Sequence, residues 1–156
     1  MGQVVTQNEI IKIVREGHNN NKTFVVTNGC FDILHVGHTR YLKKTKELAD
    51  YSIVLLNSDK SVRELKGEGR PVNNEYDRAE MLTSLCSVDY VVIFEERSPS
   101  VLLDKIKPDV YTKGGDYTID NLPEKDVIKK NNIRVEFIDF VEGKSTTQIL
   151  EKINKK

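Results

Sequence analysis

The chain alternates short runs of apolar, β-branched residues with longer stretches in which apolar residues recur every three or four positions. The short runs fall at 23–27 (TFVVT), 52–56 (SIVLL), 90–94 (YVVIF), 110–112 and 133–138, and they read as buried strands. Helical spacing marks 7–16, 36–49, 75–85, 98–106, 123–130 and a last segment from 145. Ile10, Ile11 and Val14 share a face of the first of these, and Leu42, Thr45 and Ala49 a face of the second. Continuous apolar strands alternating with helices predict βαβ units and a parallel sheet covered on both sides. Right-handed crossovers then leave a doubly wound, Rossmann-like α/β fold with a sheet of five parallel strands. No repeat, low-complexity tract or linker breaks the pattern. The 156 residues therefore read as a single domain, with a core at about 22–153 and a helical extension over 1–21.

In such a sheet, ligands bind beyond the carboxyl ends of the strands, near the point where strand order reverses. The segments to question are 28–38, 57–59, 95–99, 113–117 and 139–147. Composition narrows the classes first. Lys and Arg number 24, as do Asp and Glu, so net charge is zero and offers no general grip on nucleic acid or a membrane surface. Cys30 and Cys86 stand in no metal or redox spacing and read as free thiols, which fits the cytoplasm. No apolar run approaches the ~18 residues of a membrane span, and the start shows no basic-then-apolar signal region.

The segment after the first core strand reads NGCFDILHVGH and holds two of the three histidines, His35 and His38, with Gly37 between them. At i, i+3 on a helix both rings share a face. A helix start with bare amides and the positive dipole end is an anion site. Imidazoles and a glycine there suit a phosphate better than proton abstraction from carbon. A zinc site built on Cys30, His35 and His38 lacks a fourth ligand, so no metal site is expected. The dinucleotide fingerprint GxGxxG is absent. Gly143-Lys144-Ser145 ends like a P-loop but has Ile138 where that motif needs glycine.

Three further segments carry candidate chemistry. Ser145 and Gln148 fit a capping box, so Lys144 and Ser145-Thr146-Thr147 open the last helix, as a plain helix start, a phosphate subsite or both. The 66–74 loop carries Lys66 and Arg70, and Arg78 lies near the start of the next helix, where a cation is unfavourable unless an anion is near. Lys66, Arg70 and Arg78 thus read as phosphate ligands, with surface ion pairs as the alternative. In Lys113-Gly114-Gly115-Asp116-Tyr117 the glycines allow a tight turn and close approach to a flat ring. Lys43, Lys44 and Lys46 read as a solvated helix face.

GCFDILHVGH resembles the HxGH signature of the nucleotidyltransferase superfamily that contains the small cytidylyltransferases, and the resemblance spans about 22–153. Within it the chain is most similar to the heptose 1-phosphate adenylyltransferase family. That similarity also rests on Asn57-Ser58-Asp59, Leu65-Lys66-Gly67, Arg70-Pro71-Val72-Asn73, Phe94-Glu95-Glu96, KGGDY and Ser145-Thr146-Thr147. Glycerol-3-phosphate cytidylyltransferases share HxGH and STT. They differ at KGGDY and tend to carry an arginine where Phe140-Val141-Glu142 stands. The resemblance implies transfer of AMP from ATP to D-glycero-β-D-manno-heptose 1-phosphate, by in-line attack at the α-phosphorus with release of pyrophosphate. It implies His35, His38 and Lys66 as catalytic residues. It implies nucleotide contacts from Gly29, Cys30, Phe31, Gly37, His38, Arg78, Lys113, Gly114, Gly115, Asp116, Tyr117, Ser145, Thr146 and Thr147. Asp32, Lys66 and Arg70 would meet the sugar phosphate. Mg²⁺ would arrive with ATP, held by phosphate oxygens and water. A homodimer and a separate heptose kinase are also implied. The alternatives are a cytidylyltransferase for glycerol 3-phosphate or another small sugar phosphate, and a nucleotide-sensing module without turnover.

Overall fold

The first four apolar runs become the inner strands of one sheet, and the run at 133–138 becomes an edge strand. A computed structural model describes residues 1–115, 117–139 and 143–155. Its strands are β1 (Gln3–Val4), β2 (Phe24–Gly29), β3 (Tyr51–Asn57), β4 (Tyr90–Phe94), β5 (Val110–Gly114) and β6 (Arg134–Ile138). They lie in the order β1-β4-β3-β2-β5-β6, every pair parallel. The helices are α1 (Gln7–Asn19), α2 (Val36–Lys46), α3 (Asp59–Lys66), α4 (Glu75–Thr83), α5 (Ser100–Ile106), α6 (Lys125–Lys130) and α7 (Thr146–Asn154), with a 3₁₀ turn at Ile119–Asn121.

The sheet has six strands, not the five the pattern predicts. The extra one, β1, is two exposed residues at the sheet edge, too short to show a period. Backbone bonds hold its surroundings: Gly2 N–H donates to Thr83 O and Gln3 N–H to Asp89 O, both at 2.9 Å. A Cβ on Gly2 would stand 2.5 Å from Val88 O, so only glycine allows this approach. Thr6 and Glu9 form a capping box at the start of α1, and Ile10 and Val14 are wholly buried in the core.

Alternate residues of each strand serve opposite faces of the sheet. Ile53 and Leu55 of β3 join Phe24, Val92 and Leu103 on one side, while Val54 and Leu56 join Leu42, Ala79 and Leu82 on the other. Each such buried Leu or Ile contributes about 1.5–3 kcal/mol of transfer free energy. Among the described residues no helix is long and apolar enough to cross a membrane.

From β2 the chain lays β3 and β4 to one side, then crosses back to lay β5 and β6 on the other. The order therefore reverses between β2 and β5. The ladder joining those two strands pairs Val25 with Val110 and Val26 with Tyr111. Asn28 and Gly29 on β2, and Lys113 and Gly114 on β5, lie beyond its last rung, where a crevice opens. A hydroxyl network lies beneath. Tyr41 OH of α2 is 2.8 Å from Thr27 Oγ1 and 3.1 Å from Thr112 Oγ1, and Thr45 Oγ1 is 3.2 Å from Thr112 Oγ1. These bonds tie α2 to both strands that flank the crevice.

Candidate active site

The histidine pair opens α2. His35 is its N-cap residue and His38 its third helical residue. The Gly37 amide donates to His35 Nδ1 at 3.1 Å, and the His35 amide donates to His38 Nδ1 at 3.4 Å. The arrangement is a capping box made of imidazoles. In both rings Nδ1 accepts, so in the neutral form Nε2 carries the proton and is the donor left for a ligand. The rings stack with centroids 3.8 Å apart. A Cβ on Gly37 would fall 2.8 Å from His35 Cε1, so glycine is needed for the ring to fold over the helix start. Phe31, nearly buried, lies under His38 with centroids 5.1 Å apart.

Electrostatics keep the pair neutral near pH 7. Burial, then the Lys144 ammonium, lowers the pKa of His35. Burial, then His35, pushes His38 down to about 4 from 6.5. A histidine kept neutral on folding binds fewer protons than in the unfolded chain. Its contribution to stability is therefore full above pH 6.5 and is lost as pH falls toward 4. We expect His38→Gln to flatten urea-unfolding stability across that window by on the order of 2–3 kcal/mol relative to wild type. An unchanged pH dependence would show that the ring is not held neutral.

Two other predicted segments come to the pair. Ser145 caps α7 by accepting from the Gln148 amide at 3.1 Å, and Thr146 Oγ1 donates to Ile33 O at 3.2 Å. Lys144 Cβ would be 3.5 Å from a Cβ on Gly37. The start of α7 thus lies against the start of α2. Thr147 is exposed one residue further on. The 66–74 loop is docked by Asp32. Its carboxylate accepts from Arg70 Nε at 2.9 Å, the Val72 amide at 2.9 Å and the Asn73 amide at 3.0 Å. Lys66 ends α3 and is exposed, within electrostatic reach of Cys30.

Two of the expected ligand residues are engaged within the fold. Asp32 is 1% exposed, and its carboxylate is occupied by the Val72 and Asn73 amides and the Arg70 guanidinium, so it shapes the loop. Burial raises its pKa, but the Asn73 and Val72 amides and Arg70 outweigh that and hold it below the ordinary value. Arg78 is 0% exposed. Its Nε donates to Asn73 O, Nη1 to Cys30 O and Asn57 O, and Nη2 to Asp59 Oδ1, at 2.7–2.9 Å. A guanidinium enclosed in this way joins three loops, with all three nitrogens donating within the fold. Cys30, half-buried, offers its carbonyl to Arg78, and burial raises the pKa of its thiol.

Across the crevice, Lys113 and Gly114 end β5 and Gly115 follows. The Lys113 ammonium stands 5.3 Å from the centroid of the Tyr117 ring. Asp116 and Phe140-Val141-Glu142 lie outside the described residues. Two side chains beside the crevice, Tyr111 and Glu124, carry no motif. Asn28 accepts a hydrogen bond from Tyr111, and Glu124 is buried beside Lys113. Only their burial distinguishes them.

The comparisons agree with this geometry. The cytidylyltransferase-like family profile matches residues 26–152. The chain is 53% identical over 145 residues to the bifunctional protein HldE of Nitratiruptor sp., covering 93% of this chain and 30% of that protein. It is 49% identical over 152 residues to the bifunctional protein HldE of Campylobacter fetus, covering 97% of this chain and 31% of that one. It thus spans about three-tenths of the length of these relatives. A lipopolysaccharide core biosynthesis protein from Thermoplasma volcanium superposes with a TM-score of 0.63 at 28% identity, covering 79% of this chain and 99% of that one. With an imidazole-capped helix at the switch point of a doubly wound sheet, and a profile match over most of its length, the chain belongs to the cytidylyltransferase-like family of nucleotidyltransferases.

Proposed function

We propose that the protein transfers AMP from ATP to D-glycero-β-D-manno-heptose 1-phosphate, giving ADP-heptose and pyrophosphate. The observation that carries the reading is the stacked pair of imidazoles at the start of α2. Backbone amides occupy both Nδ1 atoms, which leaves two Nε2–H donors at one helix start. Such donors are organised before the substrate arrives, so they stabilise charge developing on the α-phosphate without reorganisation. The attacking oxygen belongs to a phosphate and is already anionic, so the chain need not supply a base or a covalent nucleophile. Its task is to hold two anions in line and to take up charge as pyrophosphate leaves.

In this reading Lys144 and the hydroxyls of Ser145, Thr146 and Thr147 meet the outer phosphates, because the start of α7 is docked on the start of α2. Lys66 at the end of α3, and Arg70 on the loop that Asp32 holds against the β2–α2 connection, are suited to the sugar phosphate in this reading. Gly29, Gly37, Lys113 and Gly114 border the place this reading gives the nucleoside. Mg²⁺ enters as part of the substrate. The described residues hold no group of three or more His, Cys, Asp or Glu that could cage an ion, and Asp32 is already occupied. Phosphate oxygens and water would hold it, as this ion commonly requires.

The same reading takes the active assembly to be a cytoplasmic homodimer. The experiment is product identification by mass spectrometry after incubation with Mg²⁺, ATP and the heptose 1-phosphate. ADP-heptose with stoichiometric pyrophosphate is expected. ADP and inorganic phosphate in their place would contradict nucleotidyl transfer.

A further inference from the structure

Among the described residues, one buried side-chain oxygen or nitrogen lacks a hydrogen-bond partner: Oε2 of Glu124. Glu124 directly precedes α6 and is 3% exposed. Its other oxygen, Oε1, stands 3.5 Å from Lys113 Nζ, a loose ion pair. The Lys113 side chain is itself 19% exposed, and its ammonium is bounded on another side by the Tyr117 ring. A carboxylate and an ammonium are therefore both drawn out of water and only partly satisfied by each other. Such a pair is a poor source of stability, since desolvation offsets most of the attraction. Unsatisfied buried groups in a native fold call for a reason, and the location supplies one. Lys113 lies at the carboxyl end of β5, past the last rung of the ladder to β2, on the crevice itself.

We propose that Glu124 is a positioning residue whose carboxylate holds the Lys113 ammonium at the mouth of the crevice, where Lys113 contacts the bound nucleotide. The inference rests on the nucleotide reading of this crevice given above. Glu124 lies outside every sequence motif of the chain and acts through Lys113 without touching the reacting atoms. Without the carboxylate, the lysine stem is free to extend into solvent, and its contact with the nucleotide is lost more often than the fold is weakened.

The test measures equilibrium binding of Mg²⁺·ATP by calorimetry, together with urea unfolding, for wild type, Glu124→Gln, Lys113→Met and the double variant. Glutamine keeps the shape and removes the charge. The expected result is a Glu124→Gln protein whose unfolding midpoint equals or exceeds that of wild type, while its Kd for ATP rises on the order of tenfold. Lys113→Met should weaken binding comparably. Adding Glu124→Gln to it should change Kd by less than about twofold, because the two residues act as a unit. Unaltered ATP binding by Glu124→Gln would overturn the inference. So would weakening that tracks a lowered midpoint, or weakening of equal size with and without Lys113. If wild type binds ATP and Glu124→Gln binds it equally well, this inference alone falls. If wild type binds neither ATP nor CTP, the nucleotide reading falls with it.

Discussion

Replacing His38 with alanine should lower kcat by on the order of 10²–10⁴. The argument runs through the ring's two nitrogens. Nδ1 is held by the His35 amide, so Nε2–H is the donor left for the substrate. Burial and the neighbouring ring keep the imidazole neutral, with a pKa of about 4. In the proposed transfer it would meet the phosphate as a fixed dipole, with a hydrogen bond that strengthens as charge builds in the transition state. Alanine removes that bond at the α-phosphate and also removes one half of the cap on α2. The cap is worth about 1 kcal/mol of stability, too little to unfold the domain. The loss should appear mainly in kcat, with the KM for ATP changed far less, because the missing interaction belongs to the transition state. Steady-state kinetics on the purified variant check this. Turnover close to wild type would remove His38 from the chemistry.

Truncating Arg78 to alanine should cost about 3–5 kcal/mol of folding stability, the range for breaking a buried, hydrogen-bonded charge pair. A domain of this kind has only about 5–15 kcal/mol in total. The wholly buried guanidinium joins Cys30 in the β2–α2 connection, Asn57 at the end of β3, Asn73 before α4, and the Asp59 carboxylate. Its removal strands three carbonyls and a carboxylate in one stroke. Arg78→Lys should rescue only part of the loss, because an ammonium cannot span the directions a planar fork reaches. Urea unfolding with nucleotide binding on the same samples separates the possible roles. A loss under about 1 kcal/mol, with binding strongly impaired, would return Arg78 to the phosphate site that its sequence position suggested.

Arg78 also shows where a sequence stops being informative. A cation near the start of a helix looks unpaired until the fold supplies partners from positions 30, 57, 59 and 73, which no local pattern connects. Asp32 was hidden in the same way, since its partners stand about 40 positions further along. The inner strands were legible because burial on both faces demands unbroken apolar runs. Strand β1 was not, because its two exposed residues are held by backbone bonds that leave no trace in side-chain type. The histidine pair was legible because two of only three histidines share one helix face beside a glycine. Its tautomers were not, as they depend on which amides the helix start directs at each ring. Glu124 carries no motif, and only its burial beside Lys113 marks it.

The most direct single measurement is pyrophosphate release by the wild-type protein with Mg²⁺, crossing ATP and CTP against heptose 1-phosphate and glycerol 3-phosphate. Release confined to ATP with heptose 1-phosphate is the predicted result, and it would direct mutagenesis to the 113–117 segment as the adenine side of the site. Release with CTP and glycerol 3-phosphate would keep the fold and the histidine chemistry but contradict the assigned substrates. Silence in all four pairs, with nucleotide binding intact, would contradict the proposed transfer itself.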